Sequence, residues 1–162
     1  MDQPKSLYPD YALWILILRA YHAINHMRAK ELRKHDLSVA QNGVLDIILS
    51  LDNYAKPIDI SRRMFREPQT MTTIINILLE KGLIKTAKDP KRKNIVRISL
   101  TAKGEKVHEQ TLMIESLHQI MSSLTDEKRR CLQECLKEIV ENAKKYNDLI
   151  QQDTWLTLFD QE

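Results

Sequence analysis

A mainly α-helical chain carrying one small β-hairpin is what this sequence predicts, on three observations. Apolar residues recur at helical spacing through most of the 162 residues, and only 3 Gly and 5 Pro interrupt them. One interval, Leu83 to Leu100, abandons that period for β-branched, partly alternating residues around the turn-forming Asp89-Pro90. Start and stop signals at Ser38, Pro57, Pro68, Gly82 and Thr101 divide the middle into short segments between longer flanking ones.

The first helix is expected from Asp10 to about His35. It is apolar on nearly every face (Tyr11, Leu13, Trp14, Ile15, Leu16, Ile17, Leu18, Tyr21, Ile24), so it needs cover that a chain this short cannot wrap around it alone. Ser38 caps a second helix to about Leu51 with Val39, Val44, Leu45, Ile48 and Leu49 inward. Pro57 suits the first turn of a third helix through about Phe65. Pro68 opens a fourth whose apolar set is Met71, Ile74, Ile75, Leu78 and Leu79, ending at Gly82 as a left-handed cap. The hairpin follows, with Lys91-Arg92-Lys93-Asn94 at its tip. Thr101 then caps one long helix carrying Val107, Thr111, Ile114, Leu117, Met121 and Leu124, and Thr125 or Asp126 starts a last helix with Leu132, Cys135, Leu136, Ile139, Ala143, Tyr146 and Ile150 on one face.

Three short helices and a hairpin make a winged helix-turn-helix, in which the last short helix enters the major groove and the hairpin reaches along the backbone. The division expected is a winged module over 37–100, with 1–36 and 101–162 forming a helical dimerisation region. Charge fits that layout. Between Lys85 and Lys106 eight cations face two anions, a net of +6, while the whole chain sums to only +3. A cationic interval on an otherwise slightly acidic chain suits a polyanion, nucleic acid first. Arg62, Arg63 and Arg66 precede the fourth helix, whose polar face offers Gln69, Thr70, Thr72, Thr73 and Asn76. On this reading Lys91, Arg92, Lys93 and the three arginines contact phosphates, and the polar helix reads base edges.

The runs Leu37-Ser38-Val39-Ala40-Gln41, Leu79-Glu80-Lys81-Gly82-Leu83-Ile84, Asp89-Pro90-Lys91-Arg92-Lys93 and Ile98-Ser99-Leu100-Thr101-Ala102-Lys103-Gly104 resemble the multiple-antibiotic-resistance regulator (MarR) family. The resemblance extends over about residues 10 to 150, and the Leu-Thr-x-Lys-Gly element after the wing is its most specific part. It implies a triangular homodimer whose terminal helices intertwine, two winged modules on a pseudo-palindromic operator, repression, and release by a small molecule bound between the dimer and DNA-binding regions. Thr73 stands where the family commonly has Arg, and Arg92 where it has an acidic residue at the wing apex. The first removes a strong guanine or phosphate contact, so adenine contacts from Asn76 and Gln69 are expected instead.

Other chemistry is weaker. Tyr11, Trp14, Tyr21 and His22 are candidates for lining a pocket for a small aromatic effector. His22 and His26 have the spacing of two metal ligands without the rest of a set, so no metal or cofactor is expected. Cys131 and Cys135 share a helical face and read as core residues, because an i,i+4 disulfide is geometrically awkward and neither thiol has an activating neighbour. No Gly-rich phosphate loop, nucleophile elbow or paired-acid constellation occurs, which argues against an enzyme. Met1–Pro9 lacks a secretory pattern and Arg19 breaks the apolar stretch Tyr11–Ala23, so a cytoplasmic protein without a membrane span is expected. The competing reading is a winged-helix protein-interaction module, since the fourth helix has no Lys or Arg on its polar face. The apolar run Thr154–Phe159 is long enough to pack on a dimer.

Overall fold

The computed structural model describes residues 7–145. Helix α1 spans Leu7–Leu32 and continues as one 3-10 turn, Arg33–His35. It is followed by α2 (Val39–Ser50), α3 (Pro57–Arg63), α4 (Pro68–Glu80), β1 (Ile84–Lys88), β2 (Val96–Leu100), α5 (Ala102–Thr111), α6 (Glu115–Ser122) and α7 (Asp126–Lys145). Tyr146, Ile150 and Thr154–Phe159 lie outside the described residues.

The caps act as their chemistry dictates. Ser38 accepts the Gln41 amide at 3.1 Å while the Gln41 side chain accepts the Ser38 amide at 3.1 Å, a reciprocal box that fixes the start of α2. Pro57 and Pro68 each occupy the first turn of their helices, where a missing N–H costs nothing. Gly82 adopts φ of +65° and turns the chain from α4 into the hairpin.

The hairpin pairs antiparallel from Ile84 with Leu100 to Lys88 with Val96. Ala55, between α2 and α3, adds a short third rung: its N–H donates to Ile98 and its carbonyl accepts from Ile98. The wing is thereby tied to the α2–α3 connection. Under it lies the core, Leu32, Leu37, Val44, Leu45, Ile48, Ala55, Ile60, Met71, Ile75, Leu78, Leu83, Ile84, Ile98 and Leu100. All but Leu32 come from residues 37–100. Burying one such side chain contributes about 1.5–3 kcal/mol, so this module holds the apolar burial that stabilises a single chain.

Helices α1, α6 and α7 leave large apolar side chains uncovered: Tyr11, Leu13, Trp14 and Leu16 on α1, Ile120 on α6, and Leu132, Leu136 and Ile139 on α7. Two expectations need correction here. The long helix after Thr101 is two helices, broken at Leu112–Ile114. The reason is long-range: the Arg28 guanidinium donates to the Thr111 carbonyl at the end of α5, and the Glu31 carboxylate accepts the Ser116 amide at the start of α6, at 2.9 Å. Backbone groups that a break would strand are therefore satisfied from α1. Burial pushes the Glu31 carboxyl up, but the Ser116 and Arg28 bonds outweigh it and leave it below its ordinary value. Cys131 and Cys135, expected in a core, are both exposed.

Candidate nucleic-acid interface

The family-like element after the wing is built around contacts with the end of α4. Thr101 accepts the Gly104 amide at 3.0 Å and so caps α5, and its own N–H donates to the Leu83 carbonyl at 3.0 Å. A Cβ on Gly104 would sit 2.0 Å from that carbonyl oxygen, so only glycine permits the approach. Lys103 reaches the Lys81 carbonyl at 2.7 Å. The Leu-Thr-x-Lys-Gly run is thus a clasp joining wing, α4 and α5.

At the wing, Asp89 is the organising residue. It is only 4% exposed. One carboxylate oxygen accepts the backbone N–H groups of Lys91 and Arg92, each at 2.9 Å. The other accepts the Tyr54 hydroxyl at 2.9 Å and the Arg97 guanidinium at 2.7 Å through both Nε and a terminal nitrogen. Arg97 also lies 4.1 Å over the Tyr54 ring. The Arg97 bond, helped by the two amides and the hydroxyl, holds the Asp89 carboxyl well below the usual carboxylate range in spite of its burial. Burial, then the carboxylate beside it, pushes the Tyr54 hydroxyl up.

The consequence is a tip whose backbone is fixed and whose side chains face water. Lys91, Arg92 and Lys93 are all exposed. Arg97, one of the eight cations of the interval, is a strut paired with Asp89. Sequence reading missed Tyr54 and Arg97 and took Asp89 as a turn residue only. The signal available was Arg97 on a strand eight residues after a carboxylate at a hairpin turn; Tyr54 carried none.

On α4 the side chains of Gln69, Thr70, Thr72, Thr73 and Asn76 are all exposed, on the face away from Met71, Ile75 and Leu78. The Thr72 hydroxyl donates back to the Pro68 carbonyl at 2.9 Å and that of Thr73 to Gln69 at 3.5 Å. Those two threonines therefore present oxygen acceptors and methyl groups outward, while Gln69 and Asn76 carry the amides able to donate and accept. Glu67, the residue before α4, makes no side-chain cap, so first-turn N–H groups remain for an external acceptor.

Arg62 and Arg63 occupy the last turn of α3, and Arg66 lies in the α3–α4 turn, where Phe65 takes a left-handed φ of 50°. Arg66 is exposed; Arg63 is half-buried and donates to the Ser50 hydroxyl at 2.9 Å. Arg63 is thus tied to α2 as well as available to the surface. The candidate effector residues Tyr11, Trp14, Tyr21 and His22 are exposed on α1 as two ring pairs, with centroids 5.9 Å and 5.5 Å apart. A cavity of about 410 Å³ lies elsewhere, where Ala29 of α1 and Arg33 of the 3-10 turn after it meet Leu37, Val39, Gln41 and Lys81. Among the described residues no three His, Cys, Asp or Glu side chains gather into a metal-binding group, and no helix is long and apolar enough to cross a membrane.

No family sequence model matches the chain, and no curated protein matches it in sequence. Solved structures do match. RdhR, an organohalide-sensing transcriptional regulator in its ligand-free form, superposes with a TM-score of 0.75 at 27% identity, over 88% of this chain and 85% of its own. MarR from E. coli, as a mutant complexed with operator DNA, gives 0.74 at 21% identity over 83% and 99%. The S. aureus MepR–DNA complex gives 0.72 at 21% identity over 79% and 94%. The fold is that of the MarR-family regulators.

Proposed function

We propose that this MarR-type chain is a homodimeric, sequence-specific DNA-binding transcription regulator, acting as a repressor and not as an enzyme. The observation that carries the reading is the wing: a buried Asp89 fixes the backbone of the tip, so that Lys91, Arg92 and Lys93 project as a preset cationic finger. Together with Arg62, Arg63 and Arg66 they would contact phosphates, and Gln69, Thr70, Thr72, Thr73 and Asn76 would read a major groove. The apolar faces of α1, α6 and α7 supply the reason for a second copy, because exposed patches of this kind on a single chain mark an interface. Two winged modules related by a twofold axis would meet half-sites about one helical turn apart.

Release by a small molecule belongs to the same reading. RdhR has been solved with 2,4-dichlorophenol bound. A small aromatic ligand here would have the rings of Tyr11, Trp14, Tyr21 and His22 available from α1. It would act only by binding the DNA-competent and DNA-incompetent dimers unequally.

The test is a salt titration of duplex affinity with the intact protein and with the paired variant Arg92→Ala, Lys93→Ala. Two lost phosphate contacts should weaken binding and reduce the slope of log affinity against log salt by about 1.8. An unchanged slope would remove the wing from the interface. That outcome would favour a protein-docking role, which the absence of Lys and Arg from α4 (Pro68–Glu80) also fits.

A further inference from the structure

The cavity of about 410 Å³ has no part in the reading above. It lies where the end of α1, the 3-10 turn and the start of α2 meet the end of α4, and none of the rings of Tyr11, Trp14, Tyr21 and His22 lines it. Ala29, Leu37 and Val39 give it an aliphatic wall.

Its polar groups differ in how firmly they are engaged. Ser38 and Gln41 hold the capping box of α2, which leaves the Val39 amide outside it. Lys81 donates to the Asp36 carbonyl and, at 3.3 Å, to the Gln41 side chain, and it pairs with the Asp36 carboxylate at 3.0 Å. The Lys81 side chain is 26% exposed and that of Asp36 is 91% exposed. An anchored ammonium thus meets a carboxylate that comes to it from the solvent side, and an ion pair with so open a partner is weak enough to exchange for another anion. Arg33 is exposed, and among the described residues its guanidinium has no hydrogen bond or ion pair.

These features select a ligand class. Arg33 and Lys81 against Asp36 leave a net of +1 on the lining, which suits a monoanion. A hard cation needs several oxygen ligands, whereas the cavity has one carboxylate, and no three His, Cys, Asp or Glu side chains gather among the described residues. No aromatic ring lines the cavity, so its wall offers a flat ring no stacking partner and suits a flexible chain. The Asp36 carboxylate itself shows which anion the ammonium accepts.

We propose that this cavity binds small aliphatic monocarboxylates. The ligand's carboxylate lies between Lys81 and Arg33 and turns the Asp36 side chain out to solvent, while its alkyl chain covers Ala29, Leu37 and Val39. Asp36 is the resident competitor, so its removal strengthens binding where most substitutions around a site weaken it. The site abuts the base of the wing, because the Lys81 carbonyl is the one that Lys103 reaches in the clasp.

The full-length, isotopically labelled protein is titrated with sodium hexanoate at constant ionic strength and followed by amide chemical shifts, with hexanol as the uncharged control. Hexanoate should give saturable shifts centred on Ala29, Arg33, residues 37–41 and Lys81, and hexanol should give none that saturate there. Arg33→Gln should weaken binding about tenfold, since it removes a charge-assisted bond. Asp36→Asn keeps a residue that tolerates the left-handed φ of 55° at this position and should tighten binding about threefold. A response to hexanoate that does not saturate, or that hexanol reproduces, would overturn the proposal. So would an Asp36→Asn variant that binds no more tightly than the wild type, because the carboxylate would then not compete for Lys81. No DNA is present, so these outcomes are independent of whether the protein is a regulator.

Discussion

Replacing Asp89 by Asn removes one negative charge from the wing while leaving an oxygen for the Lys91 and Arg92 amides, so it separates the ionic part of the anchor from its shape. The variant should leave the Arg97 guanidinium unneutralised beside Tyr54 and weaken DNA binding through a looser tip. The pH dependence has a definite sign. Because Asp89 titrates below its ordinary 3.8 in the folded chain, its contribution is present above the unfolded value and is lost as pH falls through the lower folded value. Denaturant unfolding of wild type and Asp89→Asn should therefore differ by a constant amount from neutrality to about pH 5 and converge at more acid pH. A difference that instead grew on acidification would contradict the ion pair. Gly104 gives a second residue-level test: Gly104→Ala drives a methyl into the Leu83 carbonyl and should cost about 1–3 kcal/mol or more in the same assay. These residues also show where sequence reasoning ends. Gly104 could be seen as part of a family-like element, but its approach to Leu83 and the Asp89–Arg97–Tyr54 web join residues distant in sequence, which no local pattern announces.

At the scale of elements, the short helices and the hairpin were legible because each boundary has its own local chemistry: Ser38, Pro57, Pro68, Gly82 and Thr101 sit at their termini in the structure. Ser38→Ala removes one half of the α2 capping box and should cost about 1 kcal/mol by thermal or chemical unfolding; no loss would mean that packing alone positions α2. The break between α5 and α6 was not legible. Val107, Thr111, Ile114, Leu117 and Met121 keep a heptad-like spacing straight through it, and the groups that stabilise it, Arg28 and Glu31, lie some eighty residues earlier on α1. The exposure of Cys131 and Cys135 escaped prediction for a related reason: periodicity gives a face, and only the packed neighbours decide whether that face is covered.

For the whole molecule, the distribution of burial sets the expectation. Apolar burial in one chain is concentrated in the winged module, while α7 offers Leu132, Leu136 and Ile139 to solvent. If the proposed dimer packs through this face, Ile139→Asp should leave the winged module folded yet give a monomer in light scattering, with loss of two-half-site DNA binding. A variant that remained dimeric would move the interface away from α7. The same logic limits what α4 can do as the proposed recognition helix. On the proposed function, with Thr73 and no Lys or Arg along α4, affinity would come from the wing and the α3–α4 arginines, and sequence discrimination would rest on Gln69, Asn76 and the shape of the duplex.

That division leads to one direct measurement: the purified protein is used to select bound duplexes from a randomised pool at near-physiological salt, and the survivors are sequenced. A dimeric winged helix reading two major grooves predicts enrichment of a pseudo-palindrome with half-sites centred about 10 base pairs apart. A pool that stayed random after repeated rounds, or yielded a single unpaired half-site, would contradict it.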